Sequence, residues 1–68
     1  MITLEEQIAE AERELALRRR LYPGWVEVGR LTPVQARHQL RAMWAIVTTL
    51  RRLEVEQRQL SLWGTPEP

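Results

Sequence analysis

Between Pro33 and Gly64 the chain carries neither Gly nor Pro, and its apolar residues recur at helical spacing for nearly thirty residues. A run of that kind folds as one long helix, and the rest of the chain has to be arranged around it. Its start is well specified. Thr32 can cap the first free amides with its hydroxyl, Pro33 at the first helical position has no N–H to leave unbonded, and Gln35 stands where a capping box needs its reciprocal partner. At about 1.5 Å per residue such a helix spans roughly 45 Å, more than the remaining residues can cover, so part of its apolar stripe is expected to seek another chain.

The remainder is too short to build a large core. A chain of 68 residues buries on folding only about 60% of the surface it exposes when unfolded, and proteins of this size lean on disulfides, a structural metal or a second copy. Cysteine is absent and His38 is the single histidine, which removes both disulfides and a recognisable zinc site. Self-association is the remedy left. No apolar run approaches the roughly eighteen residues of a membrane span, and no basic region followed by a hydrophobic block marks the N-terminus. The expectation is a single domain over 1–68, cytoplasmic, with a short frayed C-terminal tail from about 64.

Charge is banded. The net charge is only +1, yet residues 1–17 carry −4, residues 18–52 carry +7 and residues 53–68 carry −2. Every basic residue is Arg and every acidic one is Glu, which suits helix propensity and bidentate pairing and is equally what a GC-rich coding sequence produces.

Thr3 and Glu6 make a second capping box, and Leu4, Ile8, Ala11 and Leu15 follow at spacings of four, three and four. This predicts a first helix over about 3–21, with Glu5 and Glu6 in its first turn, Arg18, Arg19 and Arg20 in its last, and a stop at Tyr22 because the residue before Pro23 is biased away from helical backbone. Trp25, Val26, Val28 and Leu31 make the connection too apolar for a solvated loop. Pro23 is placed to open a short helical turn over about 23–28, Gly29 to end it in the left-handed conformation, and Leu31 to staple the start of the next helix. Tyr22 and Trp25 then close the core at that end, and Trp25 doubles as a candidate aromatic knob for a partner.

The long helix, over about 33–62, presents Leu40, Met43, Val47, Leu50, Leu53 and Leu60 near one face, widened by Ala36, Trp44 and Ile46 and interrupted by Gln57. The predicted architecture is an all-α helical hairpin, dimerising into an antiparallel four-helix bundle. Antiparallel packing lays the acidic end of one hairpin on the basic loop end of the other. Met43, Val47, Leu50, Leu53 and Leu60 are the expected dimer seam, with Trp44, Leu62 and Trp63 contributing.

Nothing convergent enough for catalysis is present. No Ser, Cys or Asp sits with His38 in a triad pattern, the acidic pairs at helical spacing read as a solvated face, and Gly24, Gly29 and Gly64 form no phosphate-binding loop. No catalytic residue, metal or cofactor is expected. Arg18, Arg19, Arg20, Arg30, Arg37 and Arg41 cluster around the loop end and make nucleic-acid binding the alternative to protein binding. The near-neutral total and the acidic bands weigh against it.

The stretch Glu14-Leu15-Ala16-Leu17-Arg18, then Tyr22-Pro23, Trp25-Val26 and Gly29-Arg30-Leu31-Thr32, resembles small phage- and prophage-encoded proteins of uncharacterised function that share an ELALR-x3-YP-x-WV-x2-GR-[LM]-T pattern ahead of a long helix. The resemblance covers roughly residues 4 to 53 and implies a phage origin and a helical hairpin. It transfers no activity. The function expected on this reading is a non-enzymatic inhibitor or adaptor that occludes a host or phage protein, with Trp25, Arg30, Arg37, Arg41 and Trp44 as candidate contacts, because aromatic and Arg side chains dominate interface energetics.

Overall fold

A computed structural model describes residues 1–62, which form two helices, α1 over Leu4–Glu27 and α2 over Pro33–Leu62, packed antiparallel as a hairpin. The expected stop at Gly64 and Pro66, the tail, and the seam role of Trp63 lie outside the described residues, as does the side chain of Leu62.

Both helices start on the same device. The Thr3 hydroxyl accepts from the Glu6 amide at 3.1 Å while the Glu6 carboxylate accepts from the Thr3 amide at 2.8 Å. Thr32 and Gln35 repeat this, each bond 3.1 Å long. The boxes differ in what stands beside them. Leu31, ahead of the second cap, is half-buried and Ala36 four residues past the cap is buried, the two positions a hydrophobic staple uses. Ile2, ahead of the first cap, has Gln7 at the corresponding position and is left 64% exposed.

The first helix does not stop at Tyr22. It runs through Pro23 to Glu27 as one continuous element, so the separate turn expected over 23–28 is its last turn, and Arg18, Arg19 and Arg20 fall in mid-helix rather than at its C-terminus. Burial and a hydrogen bond together offset the proline. A proline inside a helix costs about 3 kcal/mol, sealing an aromatic side chain returns about 1.5–3 kcal/mol, and a hydrogen bond adds about 0.5–1.5 kcal/mol. Tyr22 is 6% exposed and its hydroxyl donates to Gln39 Oε1 at 2.9 Å, while Pro23 itself faces solvent.

Helix α1 closes as a Schellman motif. The Arg30 amide donates to the Trp25 carbonyl at 2.8 Å and the Gly29 amide to the Val26 carbonyl at 3.1 Å, with Gly29 at φ 78° as the motif requires. The hydrophobic contact that usually accompanies this motif joins the residues standing here as Arg30 and Trp25. It is replaced by a guanidinium 5.6 Å from the indole centroid. Tyr22 stacks on the same indole at 5.4 Å.

The core is a single thin seam. Ala11 and Leu15 of α1 pack with Met43 and Val47 of α2, flanked by Leu40 and Leu50. Ile8, Tyr22 and Ala36 extend the buried line toward either end. Among the described residues no side chain is sealed completely. The Cα radius of gyration is 16.7 Å, against about 11 Å for a compact domain of this length. The hairpin is a rod with one layer of contacts.

Candidate protein-binding surface

Two sides of this rod differ in chemistry. On one, a groove of about 900 Å³ runs between the helices, lined on α1 by Glu6, Glu10 and Glu14 and on α2 by Met43, Ile46 and Leu50, with Ile2 beside it. Its basic lining residue, Arg13, is ion-paired with Glu10, which raises the Arg13 pKa through that hydrogen bond and charge. On the other side a hollow of about 330 Å³ is bounded by Ala16 and Arg19 of α1 and by Trp44, Thr48 and Arg51 of α2. Arg51 reaches across it to Glu12, tying the helices together.

The five candidate contacts fall into two groups. Trp25 and Arg30 lie against each other at the bend, where the half-buried indole is held by the Schellman turn and by Tyr22. Arg37, Arg41 and Trp44 are spaced four and three apart along one exposed stripe of α2, which helical geometry aligns as neighbours. Trp44 is 55% exposed. An indole left that open beside two Arg side chains has the composition of an interface anchor.

Met43 and Val47 are buried inside the hairpin and Leu50 packs on the same cluster, so these three face α1 of their own chain. Leu53 and Leu60 are exposed, at 43% and 63%. The expected seam therefore mixes two stripes, one already covered within the chain and one open. Sequence reasoning gave Ile46 only a widening role. Its signal was its position seven residues before Leu53, which is in turn seven before Leu60.

The consecutive Arg18, Arg19 and Arg20 do not form one patch. Arg18 is drawn inward, donating to Glu14 at 2.9 Å and to the Gln39 carbonyl at 3.2 Å. Arg19 borders the Trp44 hollow, and Arg20 a shallow depression with Leu17. Successive residues on a helix point in different directions, so three adjacent guanidinium groups cannot present a single face to phosphate. Gln39 is the residue that sequence reasoning missed entirely, since it accepts from both Tyr22 and Arg18.

His38 is exposed on α2. Among the described residues no three His or Glu side chains converge to hold a metal ion, and no helix is long and apolar enough to cross a membrane. Comparison with protein-family models, with curated proteins and with solved structures returns no match.

Proposed function

We propose that this chain is a small non-enzymatic protein-binding module, phage-encoded and acting in the bacterial cytoplasm as a dimer of hairpins in an antiparallel four-helix bundle. It inhibits or adapts a host or phage protein by covering part of its surface with the Arg37–Arg41–Trp44 stripe of α2. The observation that carries this reading is the exposure of Trp44, which the hairpin leaves largely in water although its core is thin. Burying such a side chain against a partner removes a large apolar area from water. The likeness to phage-encoded hairpins supports the origin, and the banded charge supports the antiparallel dimer.

Capture from host lysate tests it, with the wild-type chain and the Arg41→Ala/Trp44→Ala variant run side by side. The reading expects a protein retained by the wild type in stoichiometric amount and lost with the variant, unaffected by nuclease. Retention that is nuclease-sensitive and falls steeply with salt would instead identify nucleic acid as the partner. Equal retention by both chains would remove the Trp44 stripe from recognition.

A further inference from the structure

The stripe of α2 that borders the Ile46 groove has the pattern of a helix–helix seam. Ala42, Ile46, Thr49, Leu53, Glu56 and Leu60 succeed one another at alternating spacings of four and three, the repeat that keeps one helix face against a neighbour over several turns. All six are exposed, so the hairpin does not use them for itself. The large residues, Ile46, Leu53 and Leu60, alternate with the smaller or polar Ala42, Thr49 and Glu56.

Several features name the occupant. The chain exposes 5797 Å², against about 4,500 Å² for a folded single-chain protein of its mass. That excess is larger than the roughly 800 Å² each partner contributes to a standard interface. The pattern also complements itself when two copies run antiparallel. With a two-fold axis beside Thr49, Ile46 of one copy meets Leu53 of the other, and the small side chains at Ala42 and Thr49 let the backbones approach.

Charge selects the same orientation. About an axis beside Thr49, antiparallel packing brings the Glu5 and Glu6 end of one copy level with Arg41 and the Arg18–Arg20 run of the other, whereas parallel packing lays −4 on −4 over the whole of residues 1–17. The acidic rim of Glu6, Glu10 and Glu14 beside the groove makes this a side that repels polyanions, which leaves a protein surface as its occupant.

We propose that a second copy of this chain packs antiparallel on the Ala42, Ile46, Thr49, Leu53 and Leu60 stripe, leaving the Trp44 stripe on the other side of α2 open. This rests on the dimer reading above and assigns its seam. The hollow of about 250 Å³ lined by Ala45, Ile46, Thr49 and Leu50 is then filled by the other copy.

The absence of native Cys makes the test direct. A disulfide needs Cα atoms about 4.4–6.8 Å apart, so under mild oxidation Thr49→Cys should cross-link to a covalent dimer while Thr48→Cys, turned toward the other side, should not. In sedimentation equilibrium, Ile46→Glu and Leu53→Arg should each weaken self-association at least tenfold, and the chain carrying both should recover most of the loss, because each new charge faces its opposite across the axis. Trp44→Ala should leave the association constant unchanged. A wild-type dimer that neither cross-links through Thr49→Cys nor responds to Ile46→Glu would overturn the seam while leaving dimerisation standing. A wild-type chain that stays monomeric at every concentration would overturn both. Should the charge variants lose helical circular dichroism, the Thr49→Cys and Thr48→Cys pair decides alone.

Discussion

Tyr22 donates its phenolic proton to Gln39 Oε1 at 2.9 Å, across the junction where α1 runs through its proline. The Gln39 backbone carbonyl also accepts from Arg18 at 3.2 Å, so one residue of α2 holds two residues of α1, one turn apart, on the N-terminal side of Pro23. The two tie points, Tyr22 with Gln39 and Glu12 with Arg51, set how the rods lie against each other. Tyr22→Phe keeps the ring and its stacking on Trp25 but removes the donor. It should lower stability by about 0.5–1.5 kcal/mol, which in a domain of this size is a fall of several degrees in Tm at fixed protein concentration. An unchanged Tm would mean that the hydrogen bond does not form in solution.

The two described glycines should respond to alanine with opposite signs. Neither has any atom within 4 Å of where a Cβ would stand, so packing plays no part in the outcome. Gly29 has φ 78° and ends α1, and forcing an L side chain into that conformation costs about 1–2 kcal/mol. Gly24 lies within α1, where alanine is favoured by roughly 0.5–1 kcal/mol. Denaturant titrations of Gly29→Ala and Gly24→Ala should move the midpoint down and up respectively. The same direction for both would refute the assigned backbone.

Core and open stripe are separable in the same way. Leu15 is buried in the cluster with Ala11, Met43 and Val47, and removing three of its side-chain carbons should cost about 2–5 kcal/mol. That is most of what a chain of this length has to lose. Leu15→Ala should therefore lose its helical circular dichroism at or below ordinary temperatures, while Trp44→Ala, at an exposed position, should melt within about 0.5 kcal/mol of the wild type. A substantially destabilised Trp44→Ala would place that indole in the fold rather than on a binding surface.

What could be read from the residues was whatever is local. Both capping boxes, the Gly29 terminus and the helical stripe Leu4, Ile8, Ala11, Leu15 depend on neighbours three or four residues away, and the structure has them where the spacing put them. Pro23 was misjudged because its effect is local while what overrides it is not. The bias at Tyr22 is visible in the dipeptide, but Gln39, seventeen residues on, is what holds the ring and its hydroxyl. The candidate surface was legible in composition and not in direction. Met43 and Val47 share a helix with Ile46 and Leu53, and only the position of α1 shows which pair is covered.

Acid should loosen one end of the hairpin and spare the other. The Glu6 carboxylate accepts from the Thr3 backbone amide while the Glu6 amide donates to the Thr3 hydroxyl, and hydrogen bonding to Thr3, first its backbone and then its side chain, holds the Glu6 pKa below the ordinary carboxylate range. A carboxylate whose folded pKa is depressed contributes stability that is fully present above the unfolded pKa, near 4.3. That contribution is lost as pH falls through the folded pKa. The second box uses Gln35, which makes the same two bonds and has no proton to gain. In NMR spectra recorded from pH 6 to pH 2, the Thr3 amide resonance should titrate with a midpoint below that of an unpaired glutamate, and the Thr32 amide should show no such transition. Glu6→Gln should abolish the Thr3 transition and flatten the acid limb of the stability profile toward that of a helix capped like α2. A Thr3 amide that does not move on acidification would show that the first box is open in solution, and the start of α1 would then depend on the Thr3 hydroxyl alone.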